Sequence, residues 1–194
     1  ITVIANRRGL NDAAAVGIVE KIIGFLFLVP SSMLSAVSAL GAQNIGANKP
    51  RRAVRTLRYA IMLAAGFGLV AAIAVQFAAE PLVSLFTDAE TDSGAKVIVL
   101  GSQYLRGYIW DCIFAGIHFS FSGYFCACGK SGLSFMHNIT AILFVRVPGA
   151  YLMSRLFPNT LFPMGLATAA GSLLSVIICI AAYSVLRRGN KSLG

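Results

Sequence analysis

Residues 37–58 read VSALGAQNIGANKPRRAVRTLR. An apolar segment ends here, the small-and-polar cluster Gly41-Ala42-Gln43-Asn44-Ile45-Gly46 follows, and a basic run closes the stretch. Gly46 and Asn48 are suited to stopping one helix, Asn48 to capping the next, and Pro50 to its first turn. Lys49, Arg51, Arg52, Arg55 and Arg58 crowd into ten residues. On a helix Arg51, Arg55 and Arg58 share one face, with Ala53, Val54 and Leu57 largely elsewhere. A basic amphipathic turn directly after an apolar segment is the pattern of a helix at a cytoplasmic membrane surface.

The composition agrees. Hydrophobic residues make up 57% of the 194 and charged residues 12%, with a mean hydropathy of +0.78. Soluble domains carry about 25% charged residues, so this chain belongs in a bilayer. Its net charge of +9 does not point to nucleic acid, because the basic residues lie between apolar runs and do not build one face. Basic ends of membrane helices account for the excess. Cys112, Cys126, Cys128 and Cys179 fall within or beside apolar runs, and Cys126-Ala-Cys128 is too closely spaced for a zinc knuckle. They read as reduced, small apolar residues at helix contacts. The opening ITVIA lacks the basic and apolar regions of a signal peptide. It reads as the last turns of a spanning helix that starts upstream, so a fragment is expected.

A hydrocarbon core of about 30 Å needs roughly 20 apolar residues per helix. After a polar turn at residues 6–12, the spacing predicts five full spans: about 13–42, 59–79, 96–126, 133–156 and 164–186. The first contains Pro30 followed by Ser31 and Ser32, which predicts a kink at the proline with the serines serving freed carbonyls. The second is rich in Ala and Gly, suiting close packing. The loop expected at residues 80–92 gathers four of the chain's seven acidic residues. Counting Lys and Arg in the connections gives nine on one side (residues 49–58, Lys130, Arg187, Arg188, Lys191) against Arg7, Arg8, Lys96 and Arg155 on the other. The bias places the C-terminus in the cytoplasm.

No Ser-His-Asp set, metal cluster or phosphate loop appears, and Gly129-Lys130-Ser131 lacks the leading glycine and strand of a P-loop. The chain does not read as an enzyme. Its informative residues are ionisable groups at membrane depth, which cost roughly 2.5–3.5 kcal/mol each at a helix centre and usually face a cavity or a partner. Glu20 reads either as a carboxylate that binds and releases a proton or cation, or as half of an ion pair with Lys21 or a neighbouring helix. Tyr104, Tyr108, Asp111, Ala115, His118 and Ser122 follow helical steps of four and three and so share one face. That wet stripe suits a cation path, Asp111 foremost; hydrogen bonding at a buried helix seam is the alternative. Arg106 lies off the stripe and is expected to snorkel. Arg146, two residues before Pro148, demands a buried acidic or carbonyl partner and reads as a structural clamp.

Several stretches together resemble the MATE (multidrug and toxic compound extrusion) family. They are Phe27-Leu-Val-Pro30, Ser38-Ala-Leu-Gly-Ala-Gln43-Asn44-Ile-Gly46-Ala47, Phe121-Ser-Gly123-Tyr-Phe-Cys-Ala-Cys-Gly129-Lys130 and Arg146-Val-Pro148-Gly-Ala-Tyr151-Leu. The resemblance implies an all-α polytopic fold of twelve helices in two lobes. Residues 1–194 would be the C-terminal lobe, from the end of the seventh helix to the twelfth, with the N-terminal lobe absent. It also implies a multi-pass protein of the plasma membrane that exports small cationic organic compounds in exchange for protons or sodium, with no other cofactor. Pro30, Gln43, Asn44, Gly46, Arg146 and Pro148 would be structural. Glu20, Tyr104, Tyr108, Asp111 and His118 are nominated by their own chemistry, since the resemblance carries neither acid over as a ligand. A lipid-linked or polymeric substrate within the same superfamily, and a non-transporting half-protein, are the alternative readings.

Overall fold

The computed structural model describes residues 1–189; Lys191 and the rest of the C-terminal tail lie outside them. Helices follow one another from end to end: α1 (Thr2–Asn6), α2 (Leu10–Leu26), α3 (Leu28–Gly46), α4 (Pro50–Ser84), α5 (Asp92–Tyr108), α6 (Asp111–Ala127), α7 (Ser131–Ala141), a π turn (Ile142–Arg146), α8 (Val147–Leu156) and α9 (Phe162–Gly189).

Small residues decide how these helices meet. On α4 the buried positions are Ala53, Leu57, Ala60, Ala64, Gly68, Ala72, Val75, Ala79 and Val83, a helical stripe with almost no bulk. Its opposite face exposes Met62, Leu63, Val70, Ile73 and Phe77, an apolar band of the kind that suits a lipid environment. Backbones therefore approach closely. A Cβ on Gly116 would come within 2.7 Å of the Ala64 Cβ, and one on Gly68 within 2.8 Å of the Ile113 Cα, where α4 crosses α6. Gly165 brings α9 against α5 in the same way, 2.6 Å from the Tyr104 carbonyl oxygen. Such crossings suit a bilayer, where dispersion contact replaces the hydrophobic effect as the force between helices.

The spans differ from expectation in instructive ways. Among the described residues three helices are long and apolar enough to cross a membrane (Pro50–Ser84, Ser131–Leu156 and Phe162–Arg188), and the bent pair α2–α3 makes a fourth if it is one span. The difference from five is α5–α6. Eleven of the seventeen residues of α6 are buried, because α3, α4, α7 and α9 surround it. A helix enclosed by protein can carry Asp111, His118 and serines without meeting lipid. α5 and α6 are also two helices and not one, broken at Ile109-Trp110. The kink expected at Pro30 falls at Phe27, with a 40° bend between α2 and α3. The proline ring clashes with the carbonyl of the residue four back, so it displaces the break toward the N-terminus. Ser31 and Ser32 donate to the carbonyls of Leu28 (3.1 Å) and Val29 (2.8 Å).

At the end of α3, Asn48 takes the left-handed conformation (φ 56°) that stops the helix. Lys49, not Asn48, is the N-cap of α4, with Pro50 at its first turn. Asn44 Nδ2 donates to the Leu40 carbonyl at 2.7 Å and Gln43 gives its carbonyl to Ala47 N–H at 3.0 Å. Gly46 faces open space, so no close contact requires a glycine there. Arg51, Arg52, Arg55 and Arg58 are all exposed, with Ala53 and Leu57 buried behind them, as the amphipathic pattern requires. At the opposite end α4 runs on to Ser84, so Glu80 lies on the helix and not in the loop. Thr91 caps α5 by accepting from Gly94 N–H at 3.0 Å.

Candidate functional site

The break between α5 and α6 places Asp111 at the first turn of α6. The free N–H groups and dipole of a helix start favour a carboxylate there. Its side chain is fully buried. Arg146 Nη2 donates to Asp111 Oδ2, joining the start of α6 to the π turn. That turn has a cause two residues on. Pro148 lacks an N–H and would collide with the carbonyl four residues earlier, and widening the helix to a π turn relieves this. Gly171 lets the Arg146 backbone lie against α9, where a Cβ would sit 3.0 Å from the Arg146 Cβ. Asp111 Oδ1 has no donor in hydrogen-bonding geometry among the described residues, although the Ser172 hydroxyl on α9 lies close to the carboxyl.

Tyr104 and Tyr108 join this site. Their rings are 5.5 Å apart, both lie within electrostatic reach of Arg146, and Tyr108 meets Phe27 edge-on at 6.3 Å across the α2–α3 bend. Tyr104 is fully buried. Two phenols, a buried carboxylate and a guanidinium thus share one region where two spans are irregular, at α5–α6 and at the π turn. Hard oxygen donors of this kind suit a proton or an alkali cation.

The other nominated residues stand apart. His118 lies two turns further along α6, roughly 10 Å from Asp111 by helix rise. It belongs to a second buried cluster, with the His137 ring 5.5 Å from its own. Ser122 Oγ and His137 Nε2 are 2.8 Å apart. His137 is not among the residues that the sequence nominates, because its position opposite His118 depends on how α7 meets α6. Glu20 is exposed on α2 and accepts from Thr2 Oγ1 at 3.1 and 3.2 Å, not from Lys21. With Gly24, Leu28, Ser31, Ser35 and Ala39 it forms one exposed, mostly small and polar stripe along α2–α3.

Two arginines behave differently from expectation. Arg106 does not snorkel: its Nη2 meets Glu80 Oε1 at 3.2 Å, and its carbonyl accepts from Gln76 Nε2 at 3.1 Å. Arg8 pairs with Asp12 at 3.4 Å and donates to four carbonyls, of Ser154 and Phe157 (3.1 Å each), Pro158 (2.6 Å) and Thr160 (3.4 Å). These four carbonyls, at the end of α8 and in the turn after it, account for Arg8 on the less basic side.

Against known proteins, the MatE family model matches residues 1–152. The chain belongs to the MatE family. It is 29% identical over 150 residues to the probable multidrug resistance protein YoeA of Bacillus subtilis (strain 168), covering 77% of this chain and 31% of that protein. It is 27% identical over 184 residues to the probable multidrug resistance protein NorM of Rhodopseudomonas palustris, covering 91% and 36%. The same fold occurs in an inward-facing multidrug resistance transporter of the MATE family, with a TM-score of 0.80, 18% identity and 99% of this chain against 42% of that one. It occurs again in a MATE protein in complex with MaL6, with a TM-score of 0.84 at 18% identity. This MatE chain thus spans about a third of the length of the relatives it matches, and it is a helical, multi-pass membrane lobe.

Proposed function

We propose that this MatE chain is the C-terminal lobe of a cation-coupled antiporter that exports cationic amphipathic compounds across the plasma membrane. The observation that carries the reading is the ion pair Asp111–Arg146, a buried carboxylate held between a broken helix and a π turn. A proton or sodium ion that binds Asp111 replaces Arg146 as the partner of the carboxylate. Once the pair parts, the two irregular segments it joins are free to change angle together. Tyr104 and Tyr108 stand ready to turn their oxygens toward the ion. This is coupling in its elementary form, one binding event that biases two hinges. The exposed stripe of α2–α3, with Glu20, is the surface that would face the substrate cavity and the N-terminal lobe.

The names of the relatives support a drug as the substrate, and the small number of intramembrane lysines and arginines among the described residues argues against anionic, lipid-linked cargo. The test is efflux of a fluorescent cation from cells in which this lobe works together with an N-terminal lobe. Asp111→Asn should lower efflux at least tenfold while leaving the protein in the membrane. Full efflux by Asp111→Asn would remove Asp111 from the coupling site.

A further inference from the structure

At the basic end of the bundle, α4 and α9 leave a groove of about 260 Å³ lined by Arg58, Ile61, Met62, Phe121, Tyr183 and Arg187, among others. The Phe121 and Tyr183 rings, 5.8 Å apart, are both at least partly buried within it, while the two arginines are exposed on its two helices. Neither arginine forms an ion pair among the described residues. Nor does the sequence supply one nearby, because no Asp or Glu falls between residues 21 and 79 or after 111. Two guanidiniums from different helices are therefore held beside an apolar slot, with no anionic side chain among the described residues to meet them.

We infer that this groove is a binding site for a phospholipid with a net negative headgroup. The guanidiniums of Arg58 and Arg187 match the charge and geometry of a phosphate diester. The apolar wall continues past Met62 into Leu63, Leu69 and Val70 of α4, which are 48–67% exposed and cover the path of an acyl chain. A free phosphate gains nothing from that wall. A zwitterionic headgroup brings its own cation, which opposes the two arginines. The inference is independent of how, or whether, the lobe couples transport, because it uses no residue of the Asp111 site.

The experiment is native mass spectrometry of the purified chain in neutral detergent with phosphatidylglycerol or phosphatidylcholine added. The wild type should retain phosphatidylglycerol preferentially. R58Q/R187Q should lower that retention roughly tenfold or more, as loss of two cations beside an anionic headgroup predicts. R58K/R187K should keep most of it, which separates loss of charge from misfolding. K49Q/R52Q removes two charges from the same end but outside the groove and should change retention little. Equal loss in K49Q/R52Q and R58Q/R187Q would replace the site with diffuse attraction and overturn the inference. Unchanged retention in R58Q/R187Q, equal retention of phosphatidylcholine, or displacement of the lipid by millimolar inorganic phosphate would each overturn it as well.

Discussion

Asp111 and Arg146 sustain one another, and the sign of each substitution follows from that. Removing one member of a buried pair strands the other, which costs about 3 kcal/mol or more when both are fully desolvated. Arg146 keeps 27% of its side-chain surface, so Arg146→Met should cost nearer about 2 kcal/mol. The double variant Asp111→Leu/Arg146→Met should recover most of that loss without recovering efflux. Thermal unfolding in detergent reads the first effect and efflux the second; a double variant no more stable than Arg146→Met would refute the pairing energetics. Arg8 gives a second residue-scale outcome. Arg8→Ala should loosen the 154–160 segment and lower the melting temperature by several degrees, since a guanidinium with four carbonyl partners cannot be replaced by water at equal order. Arg8→Lys should rescue little, because one ammonium cannot span the same set, and limited proteolysis within 154–160 reports it. The need for a partner to Arg146 was legible from the cost of a central guanidinium alone. Which partner was not: 35 residues separate it from Asp111, and one sequence holds nothing that links them.

Elements show the same division. The α2–α3 bend was legible because Pro30 announces it, and the amphipathic start of α4 because charge and bulk alternate with the helical period. The α5–α6 break was not, since Ile109-Trp110 contains neither glycine nor proline, and apolar content reads alike across a straight and a broken helix. The π turn was hidden for a related reason: Pro148 signals a distortion but not its kind. Helix contacts offer the sharpest test. Gly116→Leu should unfold the lobe at a much lower temperature, because α4 has no side chain at Ala64 that could move aside; overpacking of this sort costs about 3 kcal/mol or more. Gly46→Leu, facing open space, should be neutral, and equal melting of the two would dismiss the close α4–α6 crossing.

For the whole molecule, the native cysteines test the orientation. Cys128 lies in the turn after α6 at the basic end and is partly exposed, whereas Cys112 and Cys179 are buried between helices. A membrane-impermeant maleimide should therefore reach Cys128 only after the cells are permeabilised; labelling of intact cells would reverse the topology. Burial holds the Cys128 thiol above its ordinary range, against the smaller pull of Tyr124 and Lys130. Because the thiolate is the reactive form, labelling should be slow at pH 7 and quicken as pH rises. Lys and Arg counts predict that orientation because insertion itself responds to them, and the labelling decides it. The acid-free basic end has one more consequence, and it is electrical. With most of the basic residues at one end and nearly all carboxylates toward the other, the lobe carries a permanent moment along the membrane normal. A potential of 100 mV, negative inside, acts on each charge moved across it with about 2.3 kcal/mol, so carrying even four of these cations outward would cost about 9 kcal/mol. Once inserted with its basic end inward, the lobe is pinned by the cell's own voltage. It can diffuse and rotate in the plane of the membrane, but it cannot turn over.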